Sequence, residues 1–345
     1  MITMKDVAKL AGVSPITVSR VISSPEQVRP ATQAKVMKAI EELNFKPNNI
    51  ARSLVTNRTD TIGLLLSNIA NPYYPEFILG LETYARAQGK NVIICNAQDY
   101  DTASHNLELL LEKRVDGIVI TSIEFASMKL QEKFHAELED LVHMKQKSIP
   151  IVLMDPNPRS TLLSCVEVDN YLAGRIAMDH LHSLGHRRIA HLSVERDANV
   201  WIDRMRAFKD AYRRYGLDLQ QELVELIETE DVRAAAAAAT RLLQCTPRPT
   251  AIFAGNDLLA IGALHAAHRL GIRVPEQLSI IGIDGINVGD QIYPRLTTVA
   301  HPQSKVGEVA AQLLLDKING NDDNSSIILK PALLVRESTA AVEKL

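Results

Sequence analysis

The chain has 345 residues, 46% of them hydrophobic, a length that suits two or three domains and a composition that excludes general disorder. Its three cysteines, Cys95, Cys165 and Cys245, are scattered without a Cys-x-x-Cys pair, which argues against a disulfide framework or a zinc site and fits a reducing cytosol. The net charge of −3 is unevenly spread: residues 1–60 hold nine Lys/Arg and five acids, a +4 head on a −7 body, which suits phosphate contact by the head.

Residues 1–20 carry charges and no long apolar run, so no signal peptide is expected. No uncharged stretch reaches about 18 residues, so no membrane span is expected either, and the expected location is the cytoplasm. Residues 4–46 predict three short helices. Met4, Val7, Ala8 and Ala11 have helical spacing, and Gly12-Val13-Ser14 reads as a tight turn with a capping serine. Pro15 then stands at a first helical position, where its missing N–H costs nothing. The second helix runs to about residue 22, Ser23-Ser24-Pro25 breaks it, and 30–43 forms the third with Val36, Ile40 and Leu43 inward. Two helices joined by a short glycine-containing turn are a helix-turn-helix signature. Residues 47–60 read as a linker, whose segment 50–55 makes under two turns of helix and is marginal in water.

From residue 61 strands and helices alternate. Apolar runs predict strands at 62–66, 92–95, 117–121, 149–154, 165–168, 188–192, 250–254 and 278–283. Amphipathic helices fall between them, at 77–88, 107–113, 171–184, 205–215, 258–270 and 306–318. This alternation predicts an α/β fold with mainly parallel, buried sheets, and its length favours two lobes. Residues 125–147 read as an amphipathic helix extended on the surface.

A helix-turn-helix brings the start of its second helix to base edges in the major groove, here Pro15, Ile16, Thr17 and Arg20. Pro15 and Ile16 have no side-chain donor and are expected against thymine methyl groups, with Arg20 on a guanine. The competing readings are helix packing for Ile16 and a phosphate contact for Arg20. Ser14, Thr17, Ser19 and Asn48 are expected on phosphates, which position without specifying.

In open parallel sheets ligands bind beyond the carboxyl ends of strands. Tyr73 and Tyr74, Asp155, Asn256 and Asp257, and Asp284 follow such strands, and Trp201 and Arg204 begin a helix after another. Carboxylates accept from hydroxyls, arginine donates and an aromatic face covers C–H groups, which is what a polyhydroxylated ring requires. Asn256 is expected on the ligand, Asp257 as a cap or hinge residue, Asp169 as a helix cap, and His186 in a structural role. No nucleotide-binding, nucleophile-elbow or zinc-protease motif stands in place, so neither an enzyme nor a cofactor or metal site is expected.

These residues carry a family likeness. Met4-Lys5-Asp6-Val7-Ala8 through Val13-Ser14, then Thr17-Val18-Ser19-Arg20-Val21, and the hinge Ala51-Arg52-Ser53-Leu54, resemble the lactose-repressor (LacI/GalR) family head. Downstream, Asn71-Pro72-Tyr73-Tyr74, Ala254-Gly255-Asn256-Asp257, Gly282-Ile283-Asp284 and Arg336-Glu337-Ser338-Thr339 are similar to its core, so the likeness spans nearly the whole chain. It implies a helix-turn-helix domain at 1–46, a hinge helix at 47–60 and a two-lobed periplasmic-binding-protein-like core at 61–345. Lobe 1 is expected at about 61–161 and 290–322, and lobe 2 at about 162–289 and 323–345, joined by three crossovers.

The resemblance further implies a homodimer on a pseudo-palindromic double-stranded operator, controlled by a small molecule, a sugar or sugar derivative. It assigns operator discrimination to Pro15, Ile16 and Arg20, and to Leu54 a wedge in the minor groove that kinks the duplex. It assigns effector contacts to Tyr73, Asp155, Arg204, Asn256 and Asp284. Trp201 is added because it is the single tryptophan and lies near Arg204. Gly285 departs from the many relatives that carry a second acid there. The rival expectation is a catabolite-control-type regulator signalled by a phosphorylated carrier protein.

Overall fold

The computed structural model describes residues 2–23, 25–45, 58–123, 125, 128–143, 148–156, 163–321 and 324–342. Asn48, Ala51 and Leu54, and with them most of the expected hinge, lie outside the described residues. The chain falls into two units, one of residues up to Thr61 with 114–116, the other Ile62–Lys113 with Gly117–Leu345.

The first unit is α-helical: α1 (Met4–Ala11), α2 (Pro15–Ser23) and α3 (Pro30–Glu42). A capping box starts α1, where the Asp6 carboxylate accepts from the Thr3 N–H at 2.8 Å and its hydroxyl at 2.7 Å. Ser14 starts α2, its Oγ accepting the Thr17 N–H at 3.1 Å. The three helices bury Val7, Ala8, Val18, Val21, Val36, Ala39 and Phe45 against one another.

The second unit contains two parallel sheets. β1 (Thr61–Leu66), β2 (Asn91–Asn96), β3 (Gly117–Ile120), β4 (Ile151–Met154), β5 (Ser164–Val168) and β11 (Ser326–Leu329) form one, ordered β11-β5-β4-β3-β1-β2. With it go α4 (Tyr74–Ala87), α5 (Tyr100–Glu112), α6 (Met128–His143) and α12 (Gln303–Ile318). The other sheet has β6 (Ile189–Val194), β7 (Val224–Ile227), β8 (Ala251–Ala254), β9 (Ser279–Asp284), β10 (Thr297–Ala300) and β12 (Ala332–Leu334), ordered β12-β10-β9-β8-β6-β7. Its helices are α7 (Asn170–Ser183), α8 (Asn199–Arg214), α9 (Val232–Gln244), α10 (Asp257–Arg269) and α11 (Val288–Gln291). Among the described residues of the second sheet only β12 pairs antiparallel, on β10. Each sheet has its own core, one around Leu64, Phe77 and Val152, the other around Phe208, Phe253 and Ile281.

The chain crosses between the sheets three times, but not where the sequence places the lobe boundaries. β5 was expected in lobe 2 and pairs with β4 in the first sheet, Leu153 opposite Cys165. β10 was expected in lobe 1 and pairs with β9, Val299 opposite Ile283. β11 was expected in lobe 2 and pairs with β5. In each case the chain completes a strand in the sheet it is leaving before it crosses. α6 is the amphipathic helix expected within 125–147: it buries one face, Gln131, Phe134 and Leu138, and leaves the other exposed or half-buried. Among the described residues no helix is long and apolar enough to cross a membrane, and no cluster of His, Cys, Asp or Glu side chains is arranged for a metal ion.

Candidate operator interface and effector cleft

In the first unit the start of α2 is open to solvent. Ile16 is 65% exposed, so it is not consumed by helix packing, and Pro15 and Arg20 are exposed as well. The Ser14 and Thr17 hydroxyls lie 2.9 Å apart and serve the helix start, while Ser19 is half-buried. Two apolar side chains therefore stand exposed at the start of α2, and one guanidinium stands exposed in its last turn.

In the second unit a cleft of about 1020 Å³ opens beyond the carboxyl ends of the strands of both sheets. Tyr73, Tyr74, Asp155, Trp201, Arg204, Asn256 and Asp284 all line it. Arg204 is its fixed point. It lies on α8 and is 5% exposed. Its Nε donates to Asn170 Oδ1 at 2.9 Å, one Nη to the Gly255 carbonyl at 2.7 Å, and the other Nη to Asp284 Oδ1 at 3.2 Å. The Trp201 ring lies 5.3 Å from the guanidinium. Behind them His191 stacks on Phe208 and Phe253, and burial lowers its pKa to about 4.

Asp284 ends β9 with φ +115° and Asp155 follows β4 with φ +44°, conformations that cost a non-glycine residue energy and recur at ligand sites. Burial pushes the Asp284 carboxyl up to about 8, against the pull of Arg204. His301 Nδ1 lies 3.9 Å from Asp284 Oδ1, and burial, then Arg204, holds this imidazole well below its ordinary pKa. The Tyr74 hydroxyl pairs with Ser67 Oγ at 2.7 Å, and its pKa is raised by burial to about 12. The Tyr73 hydroxyl, Trp201 Nε1, His301 Nε2 and Ser122 Oγ are buried with no hydrogen-bond partner among the described residues. Such atoms are rare in folded chains, and here the residues that carry them line the cleft.

Ligand and cap roles at Asn256 and Asp257 were expected to divide between the two residues, and they divide differently. Asn256 is itself the cap of α10, its Oδ1 accepting the Leu259 N–H at 2.9 Å, while its Nδ2 reaches Glu230 in the cleft at 3.2 Å. Asp257 is no cap. Its buried carboxylate accepts from the Gly285 and Ile286 N–H groups and from Thr298 Oγ1 at 2.6 Å, fastening the loop after β9 to β10. Gly285 is at φ +77° and a Cβ there would come within 2.5 Å of the Ala300 Cβ, so a second acid cannot be accommodated at this position without a shift. Asp169 caps α7 through the Leu172 N–H, and His186 ties Thr250 to the Ala340 carbonyl, both as expected.

Arg196, Glu230, Gln131 and His301 are among the lining residues that sequence reasoning missed. Glu230 accepts from Asn71 Nδ2 at 3.3 Å and from Arg196 at 3.4 Å, so a loop of the second sheet meets a loop of the first across the cleft. Arg196 carried a usable signal, since it comes two residues after the apolar β6, whereas His301 follows β10, whose polar start hid the strand.

Residues 3–48 match the family model described as bacterial regulatory proteins, lacI family, and residues 178–339 match the periplasmic binding protein-like domain. The HTH-type transcriptional repressor PurR of Vibrio vulnificus is 36% identical over 99% of this chain and 100% of its own. The chain belongs to the lacI family. It is a DNA-binding transcriptional repressor, and the relatives that establish this are repressors rather than enzymes. Among solved lacI-family structures, the transcriptional regulator CelR in its cellobiose complex is similar with a TM-score of 0.71 and 29% identity, over 98% of this chain and 100% of that one. The lac repressor dimer bound to operator and the anti-inducer ONPF shares the fold, with a TM-score of 0.84 at 24% identity over 99% of both chains.

Proposed function

We propose that this repressor is a homodimer in the cytoplasm, set by a small polyhydroxylated molecule, a sugar or sugar derivative, held in the cleft. The observation that carries the reading is the convergence of the Arg204–Asp284 pair, Asn256, Asp155 and two aromatic residues, Tyr73 and Trp201, around buried polar atoms that lack partners. Carboxylates and an amide suit hydroxyl groups, and the aromatic faces suit C–H edges. The CelR relative is described with cellobiose, which favours the same ligand class. Two copies of α2 reading a pseudo-palindrome multiply a weak single contact, with Pro15, Ile16 and Arg20 at base edges and Ser14, Thr17, Ser19 and Asn48 on phosphates. Ala51 and Leu54 belong to the hinge, with Leu54 as the wedge that kinks the central step.

The test is a thermal-shift screen of sugars, sugar derivatives and nucleobases, followed by operator titration with each stabilising compound. A sugar that raises the melting temperature and changes operator affinity supports the reading. Stabilisation by nucleobases alone replaces the ligand class, and binding only to a phosphorylated carrier protein replaces the whole effector reading. Sedimentation of a monomer alone at working concentration removes the dimer.

A further inference from the structure

The charge of the cleft narrows what can occupy it. Its lining includes seven carboxylic acids, Asp155, Glu230 and Asp284 among them, and two arginines, with no lysine. Holding Asp284 neutral still leaves an excess of acids. Both arginines are already engaged. Arg204 uses three of its five N–H donors, one on each of its three nitrogens, on Asn170, Gly255 and Asp284, and Arg196 lies 3.4 Å from Glu230. His301 is buried and uncharged, so it supplies no further cation. Tyr73 and Trp201 form low-dielectric walls, and a cleft of one sign between such walls focuses its field on whatever enters.

The second observation concerns hydrogen bonding. Tyr73 and Trp201 are 7% and 4% exposed, the Tyr73 hydroxyl and Trp201 Nε1 are buried donors without partners among the described residues, and both residues line the cleft. They suit neutral acceptor oxygens. Neither supplies the full charge that a phosphate needs.

Resting on the reading of this cleft as the effector site, we propose that the effector carries no negative charge: the cleft accepts hydroxyl- or amino-bearing molecules and turns away their phosphorylated and carboxylated forms. An anion entering the cleft meets Glu195 and Glu228 at exposed positions of the lining. To gain a cation it must pull Arg196 from Glu230, which leaves a carboxylate unpaired in a confined space, or compete with Asn170, Gly255 and Asp284 for Arg204. An amine meets no such barrier and gains Glu230 as an acceptor.

Trp201 is the only tryptophan of the chain and reports on the cleft without any knowledge of the effector. Its fluorescence is quenched with acrylamide, iodide and caesium at low ionic strength, each referred to N-acetyltryptophanamide. The expected result is access for acrylamide, with a caesium-to-iodide ratio of quenching constants several-fold above the free reference, reduced in a Glu195→Gln/Glu228→Gln double variant. A ratio at or below the reference overturns the proposal, and so does a Trp201 that acrylamide does not reach. Glucose, glucosamine, glucose 6-phosphate and gluconate then form a ligand series by thermal shift. Acidic members are expected to bind at least ~10-fold more weakly than their parent, on the scale of field effects in charged clefts. A phosphorylated or carboxylated member that stabilises the chain more than its parent overturns the proposal. If no sugar and no nucleobase stabilises the chain, the effector reading falls, and the quenching ratio still decides the charge selection.

Discussion

Asp284 is where burial and charge compete most directly. Its carboxyl is buried beside Arg204 and is pushed up to about 8. Between the ordinary carboxylate range and pH 8 the folded chain therefore keeps a proton that the unfolded chain has released. Stability falls as pH rises through that window. Burial acts with the opposite sign on His186 and His191, both lowered to about 4, and on His301, so their contribution is lost only as pH falls below 6.5. Above about pH 7.5, where an unfolded histidine has lost most of its proton, Asp284 alone of these sets the slope, at most about 1.4 kcal/mol per pH unit. Urea unfolding at about pH 7.5, 8 and 8.5 should give falling stability for the native chain and a shallower line for Asp284→Asn. An unchanged slope in the variant would sink this account. The residue scale is also where legibility divides. Asp284, Asp155 and Asn256 were readable because each directly follows an apolar strand. Glu230 and Gln131 were not, because a loop beyond β7 and one face of α6 reach the cleft only through tertiary packing.

Elements were legible in proportion to their burial. β1, β3, β4 and β8 are continuous apolar runs with nearly every position buried, and their positions followed from sequence. β7, β11 and β12 lie at sheet edges and keep exposed positions, so their short, mixed patterns carry no run to find. β10 is buried but begins with Thr297 and Thr298, whose hydroxyls are satisfied by Thr339 and Asp257, so its polarity hid it. One contact between elements could not be read at all. α4 and α12 cross so closely that a Cβ on Gly80 would lie 1.9 Å from the Ser304 carbonyl oxygen, and one on Gly307 2.0 Å from that of Phe77. Gly80→Ala and Gly307→Ala should each destabilise the chain near the upper end of the roughly 1–3 kcal/mol typical of overpacking. Chemical denaturation reads this directly, and a loss below about 0.5 kcal/mol would mean the crossing can open. On α2 the expectation reverses. Arg20 is exposed, so Arg20→Ala should leave stability within about 0.5 kcal/mol of native and cost about 1–3 kcal/mol of operator binding, with discrimination relaxed at one base pair. Fluorescence anisotropy on a panel of operator variants separates this from a phosphate contact, whose loss weakens all sequences alike.

At the scale of the whole second unit, the two cores are separate and the seam between the two sheets is polar. Asn71 meets Glu230, Asn199 Nδ2 donates to the Pro156 carbonyl at 2.9 Å, and Asn287 Nδ2 donates to Glu76 Oε1 at 2.9 Å. Two rigid bodies with a seam of a few hydrogen bonds can exchange between arrangements, because each bond contributes only about 0.5–1.5 kcal/mol net. A ligand held between them favours the arrangement in which those bonds are made. Asn287 is the cleanest handle on this equilibrium, since it is exposed and its residue does not line the cleft. Asn287→Ala removes one seam bond and leaves the cleft lining intact. Effector affinity should then fall roughly 2–10-fold, the equivalent of that bond, while stability changes little. Linkage requires that operator affinity, measured at saturating and at zero effector, show a correspondingly altered effector response. Titration of Trp201 fluorescence with effector measures the first quantity and operator anisotropy the second. Unchanged effector affinity in Asn287→Ala would mean that the seam takes no part in the switch, and that ligand and operator communicate by another route.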